Sequence, residues 1–327
     1  MISSHALSTE NTGPTITVGE ILVEIVSLTP GEGFSQPLPL SGPYPSGAPA
    51  IFIDQCARLD GDAGMIGSVG NDDFGKLNIT RLHEDGVDTS GISIDATLPT
   101  GSAFVRYRPD GNRDFVFNIT ASAAANLNWN ENVSALVSRA GHIHIMGTVL
   151  SQNSAWKIIK RAVELIKSRG GSVSLDPNIR KELVMNDAIA GRFNALLRQT
   201  DLLLPSGEEL LLAAREQDQQ RALQALFALG IKEVVLKQGE QGATCFTRNG
   251  EVIHSAAFQV EEVDPTGAGD CFGGAYVACR RKGMPIVDAL EWANAAGARN
   301  VTFRGPMEGA STTSQLQTFM QTTKKHH

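Results

Sequence analysis

From about residue 130 onward, apolar strand-like runs alternate with runs of helical spacing, and few architectures accept that pattern. The strand GHIHIMG leads to a helix over 152–169, the strand SVSLDPN to a helix over 187–199, and the strand DLLLP to helices over 206–214 and 217–229 before the strand EVVLK. A helix between two strands returns the chain to the end where it began, so consecutive strands run parallel and helices cover both faces. The expected fold is α/β: a three-layer sandwich around a mainly parallel central sheet. Such sheets bind ligands outside the carboxyl ends of their strands, where strand order reverses. Residues that close strands or open helices on that edge are therefore the candidates for chemistry.

The first hundred residues are less regular. TITVGEILVEIV, residues 15–26, is rich in β-branched side chains between Pro14 and Pro30 and reads as one core strand. PGEGFSQPLPLSGPYPSG carries too much proline and glycine for an element interior and reads as loop or short edge strands. A helix from Ala48 to Leu59, the strand AGMIGSVG and a helix from Asp72 make a first β/α alternation. Residues 102–118 form two alternating runs around Pro109-Asp110-Gly111-Asn112, a hairpin signature. With edge strands near 27–40 the hairpin gives a small separate sheet, a lid from about 27–45 and 100–120 inserted in a single domain of residues 1–327.

Charge narrows the partners. With 28 Lys and Arg against 35 Asp and Glu the net charge is −7, and no basic cluster exceeds Arg280-Arg281-Lys282, which argues against nucleic acid. The 4 cysteines form no C-x-x-C pair, so neither zinc nor a disulfide framework is expected, and reduced cytosolic thiols are. MISSHALSTENTGP lacks a cationic and an apolar region, and no run of about 18 apolar residues occurs. A cytoplasmic protein without membrane association is expected.

One stretch, VDPTGAGDCFGGAY, residues 263–276, surrounds a single acid with glycine and alanine at the start of a helix. The first N–H groups of a helix lack intrahelical partners and carry partial positive charge. Gly267, Ala268 and Gly269 leave those donors bare, so a phosphoryl group can approach several at once. Asp270 then faces the same space and can take a proton from an attacking hydroxyl. The plain alternative is an acid placed against the helix dipole, and the residues alone leave both readings open. Rival nucleotide motifs are missing: there is no G-x-x-x-x-G-K-[ST], and Phe272 occupies the place of the third glycine of a dinucleotide fingerprint.

Asp264-Pro265-Thr266-Gly267-Ala268-Gly269-Asp270-Cys271-Phe272 resembles the D-T-T-G-A-G-D-x-F signature of the ribokinase-like (PfkB) carbohydrate kinases. Ser46-Gly47-Ala48-Pro49-Ala50-Ile51 and Gly67-Ser68-Val69-Gly70-Asn71-Asp72-Asp73-Phe74-Gly75 are similar to that family's amino-terminal signature, and the likeness runs from Val18 to about residue 306. The resemblance implies a ribokinase-like fold with a β-sheet lid and transfer of a phosphoryl group from ATP to a sugar hydroxyl. Asp270 would be the base, and the amides of Gly267, Ala268 and Gly269 the anion hole. It further implies Mg2+, positioned through water by Glu209 in Ser206-Gly207-Glu208-Glu209, and K+ as a candidate monovalent cation at Asp264 and Thr266.

By the same resemblance Glu24 stands where the family has a sugar-facing Asp, and Gly47 belongs to the glycine pair whose first member is here Ser46. Ile51 replaces the family's Asn. Ser206, Lys237, Gly239, Gly242 and Asn294 fall along the nucleotide, with Asn294 either bordering adenine or packing on the sheet. Arg180 matches D-P-N-x-R and is a substrate candidate. Arg106 and Arg108 alternate onto one face of the lid strand, so Arg106 is expected to close on the sugar. His142 and His144 lack a carboxylate neighbour and read as structural.

The expected activity is that of an ATP-dependent kinase for a ketohexose such as fructose or tagatose. A 2-keto-3-deoxy sugar-acid kinase is the near alternative, since arginines pair with carboxylates. A non-catalytic sugar or nucleotide sensor is the alternative of another class, prompted by Ser46, Ile51 and Ser206. A homodimer through the lid edge is a further expectation.

Overall fold

In a computed structural model the protein is described over residues 6–7, 13–110, 112–178 and 187–326. Among these residues thirteen strands form two sheets. The larger contains β1 (Thr15–Val18), β4 (Ala63–Gly70), β5 (Ile92–Asp95), β8 (His142–Met146), β9 (Ser172–Asp176), β10 (Leu202–Leu203), β11 (Glu233–Lys237), β12 (Ala243–Thr247) and β13 (Val252–Ser255). Its order is β13-β12-β11-β10-β9-β8-β1-β4-β5, parallel from β5 to β11, with β12 and β13 added antiparallel as a hairpin. Order reverses beside β1, between β8 and β4, and the carboxyl ends of β1, β8, β9, β10 and β11 share one edge.

The parallel strands are buried on both faces and therefore read as near-continuous apolar runs. One core packs the helices Ala48–Arg58, Ala268–Arg281 and Ile286–Asn300 on one face; the other packs Glu131–Arg139, Asn153–Ser168 and Gln219–Ala228 on the opposite face. Among the described residues no helix is long and apolar enough to cross a membrane.

The smaller sheet has the order β3-β2-β6-β7 and comprises β2 (Leu22–Ser27), β3 (Leu40–Ser46), β6 (Gly101–Tyr107) and β7 (Arg113–Asn118). The expected hairpin is β6 and β7, with Tyr107 opposite Arg113. The reading of residues 15–26 as one strand needs correction. Gly19, at φ 158° with Val149 and Pro49 packed where a Cβ would be, lets the chain leave the large sheet after Val18 and enter the lid sheet at Leu22. Both halves are β-rich, so composition gave no sign of the break.

The helix Ala268–Arg281 is seated at its middle and at its last turn. Gly274 lies so close to the helix Ala48–Arg58 that a Cβ would be 2.3 Å from Phe52 O. At its last turn Arg280 pairs with Glu233 of β11 at 2.6 Å, both almost fully buried, and Tyr276 donates to the same carboxylate at 3.2 Å. Breaking a buried pair from one side leaves an uncompensated charge. Arg280→Met is expected to destabilise the protein by about 3–5 kcal/mol, and adding Glu233→Leu should recover much of that loss, read as urea midpoints.

Candidate active site

A cleft of about 1240 Å³ lies between the lid and the switch-point edge, and its lining includes Glu20, Glu24, Ser46, Gly47, Arg113 and Asp270. Apart from Glu24, which lies within β2, each reaches it from the end of an element or the turn beside one. Gly47, at φ 111°, precedes the helix Ala48–Arg58, and a Cβ there would meet Glu20 O at 2.4 Å, so only glycine lets the lid strand turn into that helix. Glu24 projects from β2, opposite Ala103 of β6.

Gly267 is the residue before the helix Ala268–Arg281 and adopts the left-handed region, φ 82°. A Cβ would stand 2.3 Å from Pro306 O. The turn before it is tied by Asp264, whose Oδ1 accepts from Thr266 N at 3.0 Å and whose Oδ2 accepts from Gly305 N at 3.0 Å. Thr266 O accepts from Asn300 Nδ2 at 2.9 Å. The bare first turn thus comes from a rigid neighbourhood, and Gly269 has nothing nearer to its missing Cβ than Lys237 Nζ at 3.5 Å.

Asp270 is half-buried and opens on the cleft. Its carboxyl is pushed up to about 7, by burial first and then by the negative charge of Asp176, against the opposing pull of Lys237, with Glu20 and Glu209 adding to the rise. Lys237, expected at a strand end, is not solvated there: its Nζ lies 2.5 Å from Asp176 Oδ2, with 11% of the side chain exposed. Asp176 closes β9 on the same edge and was not singled out in the sequence, although a carboxylate ending a core strand was a legible sign. Glu20 was missed in the same way; it follows β1, and its Oε1 accepts from Thr148 Oγ1 at 2.8 Å.

Glu24 is 4% exposed, and its Oε1 has no hydrogen-bond partner among the described residues. Burial and then the nearby Asp264 push its carboxyl up to about 8, while Arg113 and a hydrogen bond with Ser46 oppose the rise. The Ser46 departure acquires a use here, as a hydroxyl partner for the longer acid.

Arg106 does not face the cleft, a correction to the lid reading. Its guanidinium is folded onto the carbonyls of Pro30, Glu32 and Gly33, pinning the loop between β2 and β3. Arg108 pairs with Asp114. The lid arginine in the cleft is Arg113, whose Nη1 donates to Thr266 Oγ1 at 3.2 Å. Alternation picked the wrong strand of the hairpin, because the loop carbonyls that claim Arg106 lie distant in sequence. Arg180 lies outside the described residues.

Of the residues expected along the nucleotide, Ser206 and Lys237 bridge as β10 and β11 end, and Ser206 N donates to Glu209 Oε2 at 2.7 Å. Gly239 is exposed with φ 58°, whereas Gly242 is buried with φ 89° and a Cβ would meet Ser255 O at 2.1 Å. Asn294 is buried and donates to Ser255 O at 2.9 Å, which favours its packing role. His142 and His144 are buried and share Ser174 Oγ, at 2.8 and 2.7 Å.

The side-chain oxygens of Asp264 and Thr266 already serve protein groups. Tyr107 OH donates to Asp264 Oδ1 at 2.5 Å and lies 3.1 Å from Thr266 Oγ1, where Arg113 also donates. Asp264 and Thr266, the residues expected beside a monovalent cation, are thus engaged by the lid. Asp176, Glu209 and Asp270 all act on Lys237, and among the described residues no three His, Cys, Asp or Glu side chains are grouped to hold a metal ion directly, so Glu209 would hold a divalent ion only through water.

The charges around Asp270 make a prediction independent of any assay of turnover. Asp176→Asn removes the nearest opposing carboxylate and leaves Lys237 unneutralised, so the Asp270 carboxyl should titrate roughly 1 pH unit lower, as followed by carboxyl 13C NMR. No movement, or movement upward, would contradict this arrangement of charges.

Comparison with known proteins places the chain in a family. The pfkB family carbohydrate kinase pattern matches residues 37–313. Fructokinase-1 of Zea mays is 29% identical over 92% of this chain and 95% of its own length, and probable fructokinase-3 of Arabidopsis thaliana is 31% identical over 98% and 95%. Among solved structures, an E. coli protein provisionally described as ribokinase II superposes with TM-score 0.91 at 47% identity, covering 94% of this chain and 99% of that one. It has also been solved with ATP and Mg2+. Fructokinase of Vibrio cholerae, solved with fructose, ADP and potassium, gives 0.79 at 26% identity, covering 95% and 99%. With its three-layer fold, separate small sheet and glycine-lined helix start, the chain belongs to the pfkB family of carbohydrate kinases.

Proposed function

We propose that this ATP-dependent sugar kinase phosphorylates a ketohexose, fructose first, acting as one kinase domain with an inserted lid. The carrying observation is Asp270: a half-buried carboxyl raised to about 7, open to a cleft beside a helix start without side chains. A base needs such a value near neutral pH, where it is both ionised and able to hold a proton.

In this reading Glu24 and Ser46 take sugar hydroxyls, the unpartnered Oε1 of Glu24 being an acceptor in want of a donor. Gly47 lets the sugar approach the backbone, and Arg113 closes the lid side. Asp270 removes the proton from the attacking hydroxyl, and the amides following Gly267 face the charge on the transferred group. ATP extends along Ser206, Lys237, Gly239 and Gly242, with Asn294 holding the loop beyond β13. Glu209 would hold Mg2+ through water, and the ion would neutralise phosphate charge. Lid closure excludes water and limits futile hydrolysis of ATP.

The sugar-acid alternative loses Arg106 and retains Arg113 in the cleft. The lid edges β3 and β7 expose Leu40 and Val116, surfaces suited to pairing with a second copy. The 4 cysteines are free and buried, in keeping with a cytoplasmic setting.

Two outcomes test the reading. In a panel of purified sugars and keto-acids with ATP, fructose should give the highest kcat/KM; turnover confined to keto-acids would overturn the substrate. Asp270→Asn should lower kcat by about 10²–10⁴ while fructose binding, measured by calorimetry, persists; retained turnover would remove Asp270 from its role, and a sensor would show no turnover in either form.

A further inference from the structure

We propose that Tyr107 is a positioning residue for phosphoryl transfer, tying the lid to the turn that opens the anion cradle. The proposal rests on the reading of residues 264–270 as that cradle, and nothing in the family signature points to a lid tyrosine. Tyr107 is the last residue of β6, and Arg113, its partner in the hairpin, is the first of β7. Their side chains converge on one turn 157 residues away in the chain. Tyr107 OH donates to Asp264 Oδ1 at 2.5 Å and lies 3.1 Å from Thr266 Oγ1; Arg113 Nη1 donates to the same Oγ1 at 3.2 Å.

Asp264 is 1% exposed and is the hub of the turn. The Oδ1 that receives the tyrosine also receives Thr266 N, and Oδ2 receives Gly305 N. Asn300 holds Thr266 O, and Pro306 O fills the space beside Gly267. The turn is therefore clamped from below by residues 300–306 and from above by the lid. Burial and the adjoining Asp264 carboxylate raise the phenol well above its ordinary value, so it stays a donor at any working pH.

The consequence is mechanical. When the hairpin sits on the body, the tyrosine fixes the Asp264 carboxylate, the carboxylate fixes the Thr266 and Gly305 amides, and Gly267 is held in the one conformation that presents the helix start. A lifted hairpin removes a charge-assisted hydrogen bond from the hub and loosens the turn that carries the cradle. Closure over the sugar thus sets the phosphate site, which is distinct from the exclusion of water. Tyr107 makes no hydrogen bond with Glu24, Ser46 or Ser206 among the described residues; its hydroxyl reaches Glu24 only through the charge of Asp264.

The test is Tyr107→Phe in the full chain, which keeps the ring and removes one oxygen. With MgATP and the accepted sugar, kcat should fall about ten-fold, with both KM values within about two-fold and the melting temperature within a few degrees of wild type. A raised sugar KM at unchanged kcat would make Tyr107 a pocket wall and overturn the proposal, as would unchanged kinetics. Hydrogen exchange supplies an arm that needs no substrate: peptides covering residues 264–271 and 300–306 should exchange faster in the variant, while those of the helix Asn153–Ser168 should not. Unchanged exchange at the turn refutes the coupling even if the sugar assignment fails, and a wrong sugar with faster exchange leaves it standing.

Discussion

The start of the helix Ala268–Arg281 can occupy only one place, and the rest of the site is arranged around it. Gly267 is wedged against Pro306 O, Gly274 against the backbone of Phe52, and Arg280 is paired with Glu233 in the core. A helix fixed at three points along its length holds its first-turn amides in place at the cleft, Ala268 N against Pro265 O at 3.5 Å. Preorganised donors of this kind, aimed where charge develops, usually supply the largest single share of catalysis. The parallel sheet contributes the other half of the geometry, since strands running one way place Glu20, Thr148, Asp176, Ser206 and Lys237 on the same edge.

Electrostatics then divides labour among the carboxylates. Glu24 and Asp270 are both raised, to about 8 and about 7, and for both the first cause is burial. Their partners differ. Glu24 is eased by Arg113 and Ser46 on the lid side, whereas Asp270 stands between a negative Asp176 and a positive Lys237 that hold each other. Asp264, the most deeply buried of the motif acids, has three hydrogen-bond donors and works as a structural hub. Three acids of similar intrinsic strength thereby acquire three different tasks.

The architecture and the cradle were legible in the chain because both rest on local rules. Alternating strands and helices dictate a parallel sheet, and a glycine-rich helix start announces itself within seven residues. The break at Gly19 was not legible, since the two strands it separates share one composition and only tertiary packing against Val149 and Pro49 separates them. Arg106 was assigned to the cleft by alternation, yet the carbonyls of residues 30–33 claim it. Asp176 and Tyr107 escaped notice for the complementary reason: their partners, Lys237 and Asp264, lie 61 and 157 residues away.

Proton removal by Asp270 requires the acceptor oxygen to meet its carboxylate. A crystal structure of the chain with fructose and a non-hydrolysable ATP analogue measures that directly. The acceptor hydroxyl is predicted to lie within about 3 Å of an Asp270 carboxylate oxygen, with the terminal phosphate facing the amides that follow Gly267. A sugar bound with its hydroxyls turned away from Asp270, or a phosphate seated elsewhere along the edge, would contradict it.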